Sequence, residues 1–484
     1  MAISSSEISK FISDIEKELD TTTKTAASGP APVKQTRYDM GLTPSVNGIF
    51  NDAEDAIQAA WHAQKELMKF TVEERGTFIE SMRAFARANA ERLSVLAHEE
   101  TGYGHVEDKI AKNLLAANKT PGIEDLTTYA KTGDNGLTLT EMAPFGVIGA
   151  ITPSTNPTAT VINNGIGMIA AGNAVVFNPH PGAKNATLEA IKLMNQAIVA
   201  AGGPDNLLCA PANPTLDTGN VIMNHKLIRL LVVTGGEAVV SVAMKTGKRC
   251  IAAGPGNPPV VVDRTAKIKD AAEAIVAGAS FDNCILCIAE KEVLVEDCVA
   301  DDLIKEMVKA GAYLMNKQEL EKVKELVLMT NKAGKYVPNK KYVGRNAGKI
   351  LRDAGIMNQG EPKVLICDVP FEDPLVMTEM LMPVVPVTRV KDVDEAIEKA
   401  VIAENNCHHT AMMHSTNVDN LTKMGKAIDT TIYVKNAPSY AGLGFGGEGY
   451  TTLSIATPTG EGLTSAKNFT RSRRCALSGS FRII

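Results

Sequence analysis

No run of about 18 consecutive apolar residues occurs in the 484-residue chain, which excludes a membrane-spanning helix. The eight cysteines, Cys209, Cys250, Cys284, Cys287, Cys298, Cys367, Cys407 and Cys475, are scattered and build no disulfide framework. With no secretory signal at the start, they point to a reducing cytosol. Charge of one sign is missing too. A formal net charge of −5 over this length gives no surface for nucleic acid or membrane. Cys284 and Cys287 form a C-x-x-C, but no second close pair of ligands follows, so a metal site lacks its other half. No internal repeat is present. What remains, 44% hydrophobic and 22% charged residues, describes a soluble globular protein too long for one ordinary core, so two or three domains are expected.

The first twenty residues stand apart. Ile8, Phe11, Ile12, Ile15 and Leu19 make one apolar stripe at helical spacing, opposite Glu7, Lys10, Asp14, Glu16 and Lys17. Residues 21–36 follow as a tether rich in Thr, Ala, Gly and Pro. A short helix on a tether has two uses: to fold back on its own domain, or to dock into a groove on a partner. Residues 52–117 read as helical, with capping-box spacing at Thr71-Val-Glu-Glu74. Residues 126–142 read as an extended arm turning at Gly133-Asp-Asn-Gly136; too small to be stable alone, it would pair elsewhere or in another subunit.

Strands and helices then alternate: strand 147–151, helix 163–171, strand 174–177, helix 185–201, strands 207–209 and 227–234, and a helix through Lys245. Apolar strands alternating with helices predict a parallel sheet covered on both faces, with ligands at the strands' carboxyl ends. Thr152-Pro-Ser-Thr-Asn156, Asn178-Pro-His-Pro181 and Thr234-Gly-Gly236 sit at such ends. Gly254–Pro259 marks a crossover into a second α/β series, with strands at 260–263, 292–296, 363–367, 383–390, 410–414 and 431–434. Helices are expected at 269–280, 301–312, 392–403 and 420–427. A glycine-rich loop spans 436–447, and the end, 468–484, reads as an extended strand.

Within Phe281–Glu290 a thiol lies between a helix end and a strand. It reads either as a nucleophile, since a thiolate both attacks near neutral pH and leaves readily from an acyl group, or as a small buried hydrophobe. The first sheet lacks G-x-G-x-x-G, but Gly235 and Gly236 open a helix after a strand, a place for a pyrophosphate or for an ordinary tight turn. Asn156 can offer its amide to an oxyanion or close an Asx turn.

Taken together these segments are specific. Thr152–Pro157, Thr234–Gly236, Phe281-Asp-Asn283 with Cys287, and Glu379-Met-Leu-Met-Pro383 resemble, in order and spacing, the aldehyde dehydrogenase superfamily from about residue 40 to the end. Asn436–Gly447, Gly449–Ser454 and Ala456–Ser465 running into Thr470–Arg474 are similar to its CoA-acylating branch, the propionaldehyde and acetaldehyde dehydrogenases of bacterial microcompartments. The N-terminal helix and tether resemble the peptides that load such enzymes into a protein shell.

The resemblance implies a fold and roles. The fold is α/β: two Rossmann-type parallel α/β domains plus a small β oligomerisation element. Residues 37–125 and 143–258 would form the cofactor domain, 259–465 the catalytic domain, and 126–142 with 466–484 the oligomerisation element of a homodimer or homotetramer. Cys287, rather than Cys284, takes the nucleophile's place, with Asn156 and the Cys287 N–H on the oxyanion. Glu379 would hold the nicotinamide ribose, and Thr152, Pro153, Asn178, His180, Thr234, Gly235 and Gly236 would line the NAD site. Where hydrolytic relatives carry a water-activating glutamate, Ala252–Asn257 has no carboxylate. Water then lacks a base, whereas the thiol of coenzyme A, with a pKa near ~8.5, is partly thiolate already. His409 can take that thiol's proton or be an ordinary strand-end histidine. Asn178 replaces a lysine common in the superfamily, which leaves NAD against NADP open.

The expected reaction is a short-chain aldehyde, propionaldehyde or acetaldehyde, with CoA and NAD+ giving acyl-CoA and NADH, in the cytosol inside a microcompartment and next to a shell protein bound by residues 1–20. The rivals are a hydrolytic aldehyde dehydrogenase and a catalytically silent shell scaffold.

Overall fold

The computed structural model describes residues 47–357 and 360–484. The amphipathic stripe at 1–20 and the tether at 21–36 lie outside the described residues.

The first sheet has six parallel strands, in the spatial order Ile49–Phe50, Leu208–Pro211, Ala174–Asn178, Val147–Ile151, Ile228–Thr234 and Arg249–Ala253. Helices pack on it, so a strand such as Ala174–Asn178 is buried at every residue, as a covered parallel sheet requires. Helix Pro157–Ala170 is buried along its whole length against helices Val72–Ala88, Val106–Lys119 and Lys184–Ala200, which is why it is apolar all round. The sequence pattern starts this helix at Asn163. It starts instead at Pro157, because a proline in the first turn gives up only an N–H that has no helical partner.

The second sheet has seven parallel strands, ordered Ala312–Leu314, Val364–Asp368, Val384–Val390, Glu292–Glu296, Pro259–Val262, Thr410–His414 and Ile432–Lys435. Arg249–Ala253, at one edge of the first sheet, runs through Gly254–Pro258 straight into Pro259–Val262 of the second. The carboxyl edge of the first sheet therefore meets the amino edge of the second. Arg249–Ala253 itself, helix Leu216–Asn224, and the small layer of Lys317–Val327, the hairpin Leu328–Thr330 with Tyr336–Pro338, and Ala347–Asp353 are absent from the sequence reading. Most are short and carry no period long enough to read; Lys317–Val327, with a capping box at Asn316 and Glu319 and buried Leu320, Val323 and Val327 at helical spacing, was readable and was missed.

Two large cores lie on this frame. One gathers residues from Phe50 to Ala252 and takes back Ala456, Ala466 and Phe469. The other runs from Val260 to Ile455. Between 455 and 469 the chain alternates between the two, with Ile455 and Leu463 on the second core and Ala456, Ala466 and Phe469 on the first.

The arm at Tyr129–Gly133 and Gly136–Pro144 turns at Asp134-Asn135 and pairs antiparallel with Thr470–Ser478, making a three-stranded sheet. The terminal strand is exposed at every residue after Thr470. One side chain roots this sheet. Fully buried Asn173 accepts from the N–H groups of Phe145 (2.8 Å) and Gly146 (3.0 Å), and donates to the carbonyls of Met168 (3.2 Å) and Phe469 (3.0 Å). Asn173→Ala takes this partner from the Phe145 and Gly146 N–H groups and the Phe469 carbonyl, while the Met168 carbonyl keeps the residue 173 N–H, and should lower the unfolding free energy by about 2–4 kcal/mol. Chemical denaturation of the variant against the parent chain measures it.

Candidate active site

The loop before Cys287 is held in a conformation it would not choose. Helix Ile268–Ser280 ends, and Asp282, Asn283 and Cys284 follow with φ of 47°, 56° and 61°. Three successive left-handed residues without glycine are costly and persist only where the surroundings fix them. The fixing is visible. The Asp282 carboxylate, fully buried, accepts from the His105 N–H (2.8 Å) and from the ammonium groups of Lys109 (3.0 Å) and Lys112, while its own N–H donates to Asp108 (2.8 Å). Asn283 donates its amide to the Gly344 carbonyl (3.0 Å) and to Asn346 Oδ1 (2.7 Å). Burial alone would raise Asp282, but Lys112 and Lys109 outweigh it and hold the carboxyl below its usual range. Burial pushes Asp108, which faces Asp282, up to about 6. Lys109 is pushed down to about 8 by burial and by Lys112.

Beyond this loop the chain makes a tight turn, with Ala289 N–H donating to the Leu286 carbonyl (3.1 Å), and Cys287 sits on it, partly buried. Its neighbour across the gap is the crossover segment. A Cβ at Gly256 would lie 2.8 Å from the Cys287 carbonyl oxygen and 2.8 Å from His409 Cγ, so only glycine fits between them. The Gly256 N–H donates to Glu379 Oε1 (3.3 Å). Cys287, Glu379 and His409 therefore converge on Gly256. All three lie at the amino edge of the second sheet, just before strands Glu292–Glu296, Val384–Val390 and Thr410–His414. Burial first, then the Glu379 charge, pushes the Cys287 thiol up to about 12, against the opposing pull of Lys291. Burial, reinforced by Lys291, lowers His409 to about 4, so the imidazole is neutral at physiological pH. Its Nδ1 lies 2.9 Å from Thr410 Oγ1, and its Nε2 is buried without a hydrogen-bond partner. Glu290 is pushed up to about 7 by burial. It accepts from the Ser439 N–H and hydroxyl (2.8 Å each), which pins the glycine-rich loop to the turn.

Asn156 belongs to the other sheet. It precedes helix Pro157–Ala170 but does not cap it; its Oδ1 accepts instead from Lys112 Nζ (2.5 Å). Since an ammonium only donates, this bond fixes which end of the amide is the oxygen; the N–H2 end donates to Thr155 Oγ1 (3.3 Å) and keeps one hydrogen for other work. Lys112 thus joins Asn156 to Asp282. It also borders an apolar pocket with Ala111, Leu115, Phe281, Leu286, Tyr440 and Phe445, whose three aromatic rings pack with centroids 5.3–5.7 Å apart.

The expected cofactor residues gather at the carboxyl edge of the first sheet. The Thr152 N–H donates to the Asn178 carbonyl (3.3 Å), and the Thr152 hydroxyl is buried without a partner; half-buried Pro153 follows. Thr234 Oγ1 lies 3.0 Å from Ser454 Oγ, and Gly235 and Gly236 lead into helix Glu237–Met244 with open space where a Gly236 side chain would stand. Two residues are placed differently. The Asn178 amide is spent on the Thr215 carbonyl and the Thr218 hydroxyl, bracing the start of helix Leu216–Asn224. His180 is exposed, and its Nδ1 accepts from the Gly182 N–H (3.0 Å).

Sequence reasoning missed Lys109, Lys112 and Lys291. Lys109 and Lys112 share a helix face with Asn113, Ala116 and Ala117, all buried. Charged residues at i and i+3 on an otherwise small, apolar face were the available signal. Nothing in the sequence marks Lys291.

Comparison with known proteins gives a consistent result. The aldehyde dehydrogenase family model matches residues 47–470. The acetylating acetaldehyde dehydrogenase EutE of Salmonella typhimurium is 52% identical over 439 residues, covering 90% of this chain and 94% of its own. A propionaldehyde dehydrogenase from the fucose utilisation microcompartment of Clostridium phytofermentans superposes with a TM-score of 0.88 at 49% identity, covering 90% of this chain and all of its own. That of Rhodopseudomonas palustris, solved with bound CoA and an acylated cysteine, gives 0.87 at 48% identity, covering 90% of this chain and 99% of its own.

Asp282→Ala strands two buried ammonium groups and releases the left-handed loop. It should cost about 3–5 kcal/mol in unfolding free energy, larger than any exposed carboxylate removal. Lys109→Met combined with Lys112→Met should recover part of that loss, measured by the same denaturation experiment.

Proposed function

The chain belongs to the aldehyde dehydrogenase family, and from that premise we propose that it is a CoA-acylating enzyme, oxidising a short aldehyde such as acetaldehyde or propionaldehyde with NAD+ and CoA to acyl-CoA and NADH. The observation that carries the choice of acceptor is the crossover segment Ala252–Asn257. It lies against Cys287 and His409 at Gly256 and contains no carboxylate.

In this reading the Cys287 thiol gives up its proton to solvent and the thiolate Sγ bonds the aldehyde carbon as the C=O electron pair moves onto oxygen. The negative charge that develops on the oxygen is met by the Asn156 amide, turned outward by Lys112, and by the Cys287 N–H. The apolar pocket beside Leu286 excludes water and suits a short hydrocarbon chain. The unpartnered Thr152 hydroxyl, the open approach at Gly236 and the helix start after it fit a dinucleotide at the carboxyl edge of the first sheet. NAD+ bound there supplies the acceptor for the hydride that leaves the thiohemiacetal. Glu379, half-buried beside Gly256, is placed for a ribose hydroxyl. The acyl thioester left on Cys287 then passes to the CoA thiol. His409, across Gly256 and with its Nε2 unpartnered, is placed to receive that thiol's proton, although the burial that keeps its imidazole neutral also makes it a weak base. The exposed sheet of Tyr129–Gly133, Gly136–Pro144 and Thr470–Ser478 is the surface for pairing subunits.

Without CoA, NADH formation should stop near one equivalent per subunit, and Cys287→Ala should lower the steady rate by at least about a thousandfold while dinucleotide binding persists. Sustained turnover to free acid without CoA would make the enzyme hydrolytic. Full activity in Cys287→Ala would remove the assignment.

Docking of residues 1–20 onto a shell protein rests on their apolar stripe and on similarity to enzymes of microcompartments. A chain lacking residues 1–20 should keep near-parental activity in solution and no longer co-purify with shells. A large loss of soluble activity would instead mean that the stripe folds onto its own domain.

A further inference from the structure

Lys291 lies between the Cys287 turn and strand Glu292–Glu296, with 2% of its surface exposed. Its ammonium donates to the carbonyls of Cys284 (2.9 Å) and Leu286 (3.1 Å) and to Cys284 Sγ (3.3 Å). Its donors are satisfied, yet among the described residues no carboxylate comes within salt-bridge distance. A buried cation without an ion pair is costly to keep, so its position calls for a role. The Leu286 carbonyl supplies one. In a trans peptide the C=O and the following N–H point in opposite directions. Holding the Leu286 oxygen toward the ammonium therefore turns the Cys287 N–H away from it, and bonding that oxygen to a cation makes the N–H a stronger donor.

We propose that Lys291 is a positioning residue of the reaction: by gripping the Cys284 and Leu286 carbonyls it aims the Cys287 N–H at the oxyanion and keeps a positive charge behind the nucleophile. This rests on the reading of Cys287 as that nucleophile. The charged and titratable groups around the turn are Cys284 and Glu290 on the turn itself, Glu379 from the facing loop, His409 across Gly256, and Glu292 and Glu404 behind. Of these, Glu379 opposes thiolate formation, His409 is neutral, and burial raises Glu292 well above the usual carboxylate range. Lys291 opposes the effect of Glu379 on the thiol.

The test compares Lys291→Met and Lys291→Arg in the full-length chain. The rate of iodoacetamide modification of Cys287 at one fixed pH, followed peptide by peptide, reports the thiolate. Steady-state kinetics with propionaldehyde, NAD+ and CoA reports the oxyanion. Lys291→Met should slow the modification about tenfold or more and lower kcat about 100-fold, with the KM values for aldehyde and NAD+ changed less than about threefold. Lys291→Arg keeps the charge but not the geometry. Its modification rate should stay within about threefold of the parent while kcat still falls about tenfold. A folded Lys291→Met chain with parental modification rate and kcat overturns the proposal. If that variant does not fold, the arginine variant decides: parental kcat there shows that the grip on the carbonyls is dispensable. Cys287→Ala that still forms NADH overturns the nucleophile reading, and this proposal with it, whatever Lys291 does.

Discussion

The carboxylate of Asp282 between Lys109 and Lys112 is the joint on which the site depends. Two lysines of one helix, on the side of the first core, grip an aspartate at the end of a helix of the second. A buried ion pair of this kind is seldom a large source of stability, because desolvating the charges consumes most of their attraction. Its value here is geometric. It holds Asp282 at positive φ and, through Lys112, fixes the Asn156 amide. The Asn156 amide on one sheet and the loop that leads to Cys287 on the other are thereby referred to a single point.

That joint explains why the site can lie at a boundary without being loose. Thr152, Asn156 and Thr234 stand at the carboxyl edge of the first sheet, Cys287, Glu379 and His409 at the amino edge of the second. Ligands in parallel α/β sheets gather at carboxyl edges, and the proposed dinucleotide residues of the first sheet stand at such an edge. The residues of the second sheet stand at its amino edge, which the short crossover Gly254–Pro258 presents to the first. Cys287 thereby faces the carboxyl edge of the first sheet without any long loop to carry it.

Much of this was legible in the chain. The alternation of apolar strands and helices gave both sheets, and the Gly133–Gly136 turn gave the arm, because each rests on periodicity or turn chemistry that a sequence displays. The segments around Asn156, Thr234, Cys287 and Glu379 were recognisable as a set. Other features were hidden. The helix expected from 163 opens six residues earlier, at Pro157. The burial of Lys109 and Lys112 had only their i, i+3 spacing as a signal, because it depends on Asp282, more than a hundred residues away, and that of Lys291 depends on carbonyls that no side-chain pattern reveals. The bonds of the Asn178 amide to Thr215 and Thr218 were equally invisible.

The missing base is a property of the packing and not of one substitution. Along the crossover, Ala252 is fully buried in the first core and Ala253 nearly so. A Cβ at Gly254 would stand 2.8 Å from Pro458 Cγ, and one at Gly256 would stand as close to the Cys287 carbonyl oxygen. Asn257 is buried and donates to the carbonyls of Val376 and Ala403. Only Pro255 faces solvent. A glutamate long enough to activate water therefore has no position in this segment from which to act, unless the crossover itself moves away from the thiol. The same closeness that leaves room for glycine alone beside Cys287 keeps the crossover from supplying a water-activating carboxylate, and an incoming thiol, more acidic than water, is the acceptor that depends least on one.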